Sequence, residues 1–406
     1  MCGPRQGWSR QEPKTSLLGE GLFGGDLGSH PNSPSPQTGQ GDYRRQPVKP
    51  PRTPSYPLPG NIPLAFGRNL SLRIAKFLSS LPNANITHMS SSLGIPSVDL
   101  HQFTRGNAEE RAAFVADLGA AFSQVGFVAV KNHGLTNAQT EDLYREVKSF
   151  FDLPLETKLS YEIPELAGQR GYTSFGREHA KGMTEADLKE FWHFGQDNIA
   201  SDPIASKYPE NMYVKELPEF NRVGMETFHL LEDAGRNLLK AIALYLNLDE
   251  NYFDSRIHLG NSVLRPIHYG PILTEPKGAV RAGAHEDINL ITLLMGASAD
   301  GLQILNKANE WVSVTALPDQ VVVNVGDMLQ RLTNNVLKST THRVINPPKE
   351  FWNTSRYSIP FFLHPRSDMR LDCLASCVTD SNPLHYEPIS AGEYLDQRLE
   401  EIGLKK

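Results

Sequence analysis

Between residues 262 and 365 the chain breaks into seven short apolar or β-branched runs: "SVLRPIHYG", "GAHEDINLITLLMG", "GLQILN", "WVSVTAL", "QVVVNVG", "TTHRVINPP" and "SRYSIPFFLHP". Gly, Pro and Asn turns separate them at fairly even spacing. Strands that short and that regular predict an all-β double sheet or barrel, mainly β with helices packed outside. This pattern constrains the fold more than any other feature of the sequence.

The preceding region reads differently. "NAEERAAFVADLGAAFSQVG" carries acidic residues in its first turn and ends at Gly126, the signature of an amphipathic helix. "FVAVKNHG" reads as a buried strand, and "TNAQTEDLYREVKSFFDLP" as a second helix stopped by Pro154. "EFNRVGMETFHLLEDAGRNLLKAIALYLNL" is a long helix, and "SAGEYLDQRLEEIGL" closes the chain with another. Residues 1–88 are rich in Pro, Gly, Ser and Gln, too poor in apolar side chains to offset chain entropy, and are expected to be disordered. Within them "FGRNLSLRIAKFLSSL" resembles a basic amphipathic helix, while "MSSSLGIPSVDL" makes Met89 the expected natural start. The expected division is a 1–88 extension, a helical region over 95–225, and a β-rich catalytic region over 226–406.

A net charge of -6 gives no polycationic surface for nucleic acid or anionic membrane. No stretch reaches the ~20 apolar residues of a membrane span, and no apolar signal-peptide core follows the N-terminus. Three cysteines are too few for a disulfide framework, and Cys373 and Cys377 lack the companions of a zinc site. A cytoplasmic protein is the expectation; oligomeric state is open.

His285 and Asp287 stand two apart in the most apolar of the runs, where a strand would place both on one face. A carboxylate facing a β-core is costly unless paired or metal-bound. His342, at the entry of "TTHRVINPP", is the best third ligand. Two imidazoles and a carboxylate on one side of an ion suit non-haem Fe(II), because they leave room for a co-substrate and O2. A His-x-Asp alone is weak, and the companion set gives it weight. Arg356 and Ser358 also stand two apart and form a receptor for a small carboxylate, to which Tyr269 is a candidate third donor. Asp327, after a glycine turn, reads as a backbone-capping residue.

In this order, His-x-Asp, "GLQ", "HRV" and Arg-x-Ser resemble the isopenicillin N synthase-like branch of the 2-oxoglutarate/Fe(II)-dependent dioxygenases. The resemblance extends over nearly everything after residue 94, including "GFVAVKNHG", "SFFDLP" and "GYTSFG". It implies a double-stranded β-helix, the jelly-roll or cupin-like core. It also implies Fe(II) on His285, Asp287 and His342, and 2-oxoglutarate anchored by Arg356 and Ser358. The implied reaction consumes O2, releases succinate and CO2, and hydroxylates or desaturates a small molecule. Glu286 stands where that family usually has threonine, and "PIHYGP" replaces its Asn-Tyr-Tyr-Pro-Pro element, leaving Tyr269 aligned.

Two other readings remain at this stage. One is an Fe(II) oxidase of the same fold that uses no 2-oxoglutarate. The other is a non-catalytic jelly-roll binding protein. Candidate substrate-pocket residues are Arg170, Tyr172 and Arg177 of "GQRGYTSFGREHA", Phe191 and His193 of "EFWHFG", and Phe361. The arginines among them suggest a small acidic or amino-acid-like substrate.

Overall fold

The described chain enters on a short strand, β1 (Ser97–Asp99), and soon reaches a long helix, α1 (Ala108–Gln124). A capping box starts this helix: Asn107 accepts from the Glu109 and Glu110 amides, while Glu110 accepts from the Asn107 amide. Such a cap satisfies donors that a helix start leaves open and contributes about 0.5–2 kcal/mol. Gly126 ends the helix region at φ +77°, where a Cβ would press on Thr340 Oγ1 and the Lys338 carbonyl. Strand β2 (Phe127–Lys131) follows, then α2 (Asn137–Phe151), capped by Thr136, and strands β3 (Gly171–Thr173) and β4 (Glu190–Gly195). The longest helix, α3 (Pro218–Tyr245), leads into the β-rich half. This computed structural model describes residues 95–179, 185–197, 201–296, 300–314, 317, 319–402 and 404–405. The 1–88 extension, its basic helix and the start expected at Met89 lie outside them.

The β-rich half supplies β5 (Val263–Leu264), β6 (Ile267–Tyr269), β7 (Ala282–His285), β8 (Ile291–Met295), β9 (Leu302–Leu305), β10 (Trp311–Ser313) and β11 (Gln320–Val325). A short helix α4 (Asp327–Leu332), strands β12 (His342–Val344) and β13 (Arg356–Leu363), and the closing helix α5 (Ala391–Glu401) complete it. Two of the seven expected runs are broken. "SVLRPIHYG" divides at Arg265–Pro266, where proline has no N–H to give a ladder. "GAHEDINLITLLMG" divides into β7 and β8, with residues 286–290 looped between them. Asp287 therefore lies beyond the strand end, so the expected placement of His285 and Asp287 on one strand face does not hold.

Among the described residues two sheets form. The large one runs β1-β2-β11-β8-β13-β5-β4-β3, with β6 pairing β13 and β4; the small one runs β10-β9-β12-β7. Only β1 and β2 among these pairs are parallel. Strand alternation sorts the side chains. Val128, Val130, Val321, Val323, Leu293, Ile359 and Phe361 face the helices and pack with Phe114, Phe122, Leu238 and Ile242. Phe127, Ala129 and Val322 face the other way and meet Leu302, Ile304 and Val314 of the small-sheet side. Each fully buried Phe or Leu contributes about 1.5–3 kcal/mol. The result is the jelly-roll core expected from the sequence, with helices covering the outer face of the large sheet.

The expected boundary at 225 falls inside α3. Strands β1 to β4, from the region expected to be helical, extend the large sheet at both ends, and residues from 95 onward belong to one compact unit. No helix among the described residues is long and apolar enough to cross a membrane.

Candidate active site

The His285 and His342 rings lie on neighbouring small-sheet strands, as direct cross-strand partners with ring centres 4.4 Å apart. His285 Nδ1 faces the Gly283 carbonyl at 2.7 Å, and His342 Nδ1 faces the Thr340 carbonyl at 3.1 Å. Each Nδ1–H is thereby committed, and each Nε2 lone pair is left for another partner. That partner is not Asp287 itself: its Oδ1 lies 3.8 Å from His285 Nε2 and 3.7 Å from His342 Nε2, beyond hydrogen-bond distance. Asp287 Oδ2 is held separately, accepting from Thr292 Oγ1 at 2.6 Å and Asn324 Nδ2 at 2.8 Å. Three donor atoms within 4.8 Å of one another are aimed at one point, a set that fits a divalent metal.

The loop bearing Asp287 is fixed by its backbone. Asp327 N–H donates to the Asp287 carbonyl at 2.9 Å, Gly326 N–H to Leu290 at 2.9 Å, and Leu290 N–H to Leu363 at 3.1 Å. Gly326 is required there, since a Cβ would meet the Asn289 backbone oxygen at 2.3 Å. The site electrostatics follow. Burial and the neighbouring His342 push the His285 imidazole down to about 4. Burial works against the Asp287 charge, but His342, His285, Asn324 and Thr292 outweigh it and hold this carboxyl below its ordinary value. At neutral pH the Asp287 carboxylate and the His285 imidazole are thus in the forms a metal needs.

The triad lines a cavity of about 510 Å³ between the sheets. Arg356, Ser358, Pro360 and Phe362 project into it from one face of β13. Arg356 is 1% exposed, pairs across the ladder with Tyr269, and lies 5.0 Å from the centre of its ring. Apolar Phe127, Leu294, Leu302 and Val344 also line the cavity. Together these groups form a greasy slot with a guanidinium, a hydroxyl and a phenol, suited to a short dicarboxylate.

Two family models match. The non-haem dioxygenase N-terminal model, described as "in morphine synthesis", matches residues 95–219, and the 2OG-Fe(II) oxygenase superfamily model matches residues 260–365. The 2-oxoglutarate-dependent dioxygenase frbA of Dothideomycetidae sp. (strain 11243) is 31% identical over 76% of this chain and 96% of its own. The chain belongs to the 2-oxoglutarate/Fe(II)-dependent oxygenase family. Among solved structures, a 2OG-Fe(II) oxygenase family protein from Caulobacter crescentus is 42% identical, with TM-score 0.69 over 76% of this chain and 99% of that one. A full-length Neurospora crassa protein solved in complex with alpha-KG is 31% identical, with TM-score 0.66 over 75% of this chain and 96% of that one. The protein is therefore an oxidoreductase acting on small molecules, with Fe(II), 2-oxoglutarate and O2 as its cofactor and co-substrates.

In this oxygenase the residues expected to line the substrate pocket divide. His193 lines the cavity. Phe191 shares its face of β4 but is covered, packed with Ile267, Tyr269, Ala282 and Val344 beneath the Arg265 guanidinium. Tyr172 and Phe361 point to the helix side: Tyr172 bonds Glu190 beside Phe150, and Phe361 meets Phe228 edge-on at 5.1 Å. Phe361 is an odd number of residues from Arg356 and Ser358, so strand parity excludes it from their face, and Phe362 takes the place. Arg170 is buried against Gly195, donating to the Gln169 carbonyl and to Asn261, and burial pushes its guanidinium down to about 10. Arg177 is exposed and paired with Glu162 at 3.1 Å. Neither arginine lines the cavity, which removes the basis for an acidic substrate. Asp327 is no backbone cap either: its side chain accepts from Tyr394 at 3.1 Å and faces Arg398 at 3.2 Å.

Sequence reasoning missed Thr292 and Asn324, though an asparagine inside the valine run "QVVVNVG" was a signal. It also missed Arg265, Glu178 and Lys189, which line the cavity, and the α5 wall of Leu395, Arg398 and Leu399.

Proposed function

We propose that His285, Asp287 and His342 hold the Fe(II), and that Arg356 and Ser358, with Tyr269, hold the far carboxylate of 2-oxoglutarate. The observation that carries this reading is the division of each ligand's atoms. Both Nδ1 and Asp287 Oδ2 are tied to the protein, while both Nε2 and Oδ1 converge on one point inside the cavity that Arg356 enters. The bound metal and 2-oxoglutarate together supply oxidising power: O2, 2-oxoglutarate and a C–H bond give CO2, succinate and, by default, a C–OH group.

The chain's own residues do the rest. Arg356 orients the co-substrate by a charge-assisted bond in a slot walled by Phe127, Leu294 and Val344. Leu395 and Leu399 of α5 cover the other side of the cavity and exclude water. The prime substrate is a small molecule. Support comes from a cavity of this size and from the Neurospora crassa relative, whose structure in complex with alpha-KG and thymine is 31% identical to this chain.

An anaerobic titration of 2-oxoglutarate into the Fe(II)-loaded protein tests the assignment. A visible charge-transfer band should appear in wild type and weaken at least tenfold in apparent affinity in Arg356→Ala. A bound iron with no band would mean that the Arg356 end holds another anion, the behaviour of an oxidase that takes all its electrons from one substrate.

A further inference from the structure

The wall of the cavity that includes strand β4 carries a charge cluster with no part in holding metal or co-substrate. Lys189 Nζ lies 2.5 Å from Glu178 and 2.8 Å from Asp187. Glu178 also meets Arg265 Nη1 at 3.3 Å. Asp187 in turn accepts the Gly283 amide at 2.9 Å, which ties the cluster to the strand carrying His285. Burial disfavours the charges of Glu178 and Lys189, but their mutual pairing prevails: Glu178 is held down to about 2, and Lys189 above its ordinary value.

Arg265 is the member most exposed to the cavity. Its guanidinium packs on two rings, 4.3 Å from the centre of Phe191 and 5.0 Å from that of Phe362. Its Nε donates to His193 Nε2 and its Nη1 to Glu178. Its Nη2 has no partner among the described residues, and the residue lines the cavity. A guanidinium locked on two sides, with its third nitrogen open, is a preorganised donor.

The sign of what it receives follows from its surroundings. Each cation of the cluster already has its own anion: Lys189 has Glu178 and Asp187, and Arg265 has Glu178. His193 accepts from Arg265 and is neutral. A carboxylate brought here would be desolvated without gaining an uncommitted positive charge, whereas a neutral carbonyl would gain a hydrogen bond at little desolvation cost.

We infer that Arg265 is the specificity-determining residue for the prime substrate, donating through Nη2 to a carbonyl-type acceptor of a small neutral molecule such as a lactam, imide or amide. Glu178 neutralises Arg265 and so excludes the corresponding carboxylates. This deepens the reading under Proposed function and rests on it.

The test uses matched probes, thymine against orotate and nicotinamide against nicotinate, bound anaerobically to the protein with Fe(II) and 2-oxoglutarate and followed by calorimetry. In wild type at least one neutral probe should bind ten times or more tighter than its carboxylate partner. Arg265→Met, which keeps the packing on the two phenylalanines, should lose that neutral probe at least tenfold. Glu178→Gln, read independently should Arg265→Met fail to fold, should raise the affinity of the carboxylate relative to its neutral partner. Carboxylates binding tighter in wild type, no neutral probe binding, or Glu178→Gln leaving the ratio unchanged each overturns the proposal. The keto-acid band in the same samples reports separately: its absence in wild type defeats the assignment of the co-substrate site, and its presence with unchanged probe binding in Arg265→Met defeats only the role of Arg265.

Discussion

The carboxylate of Asp287 spends one oxygen on Thr292 and Asn324 and keeps the other for the cation point. Orienting partners of this kind change metal affinity tenfold to hundredfold when removed. Thr292→Val and Asn324→Leu should each weaken Fe(II) binding by about that factor, measured by competition with a chelating dye, while circular dichroism stays unchanged. Glu178 gives a pH prediction. Its folded pKa, about 2, lies below the usual carboxylate value near 4.5, so its stabilisation is fully present above about pH 4.5 and is lost as pH falls through 2. The shift corresponds to about 3 kcal/mol. The stability gap between wild type and Glu178→Gln, read by urea unfolding, should therefore be widest near neutrality and narrow steadily below pH 4.5. The metal-ligand types stood out in the sequence because imidazole and carboxylate are anomalous in an apolar run. Thr292 did not, since threonine is an ordinary strand residue and its target lies five positions back across a loop.

At the level of elements, periodicity carried most of what was legible. Helix α1, with its Asn107–Glu110 box, and helix α2, with Thr136, form where the polar starts and apolar spacing predict them. Which face a strand turns to the cavity was legible only where two functional residues shared it. Arg356 and Ser358 set the parity of β13, and applying that parity one turn of the pleat further would have chosen Phe362 over Phe361. Tyr172 had no such companion, and its short strand turns it toward Phe150 instead. Helix α5 was foreseen as a closing helix but not as a cavity wall, because that depends on the tertiary contact of Arg398 and Tyr394 with Asp327. Ending the chain before Ser390 should remove this wall and admit water. Succinate should then form in severalfold excess over oxidised substrate, measured by parallel assay of both products, where the full chain gives near equality.

At the scale of the fold, the described residues form two sheets, and the triad lines the cavity between them. Two of the proposed ligands, His285 and His342, come from the small sheet, while the supports of the third, Thr292 and Asn324, come from the large one. A ligand that binds only the folded state adds RT ln(1 + [L]/Kd), about 2.7 kcal/mol at a hundredfold excess over Kd. Fe(II) with 2-oxoglutarate should thus raise the unfolding midpoint by several degrees over the chelator-treated protein in differential scanning calorimetry, and the gain should shrink in His342→Ala. The double-sheet architecture was legible from the seven runs. The boundary inside α3 was not, because β1 to β4 complete the large sheet from residues whose surroundings read as helical.

Strand β13 presents Arg356, Ser358, Pro360 and Phe362 on a single face, and at about 3.3 Å per residue its two ends stand roughly 20 Å apart. It is a ruler with the proposed co-substrate anchor at one mark and the packing partner of Arg265 at the other. Because the marks lie on one rigid rod, a lineage of such chains can recut the far end for a new molecule while the near end keeps its grip on the same oxidant, and a slip of one notch would erase both at once.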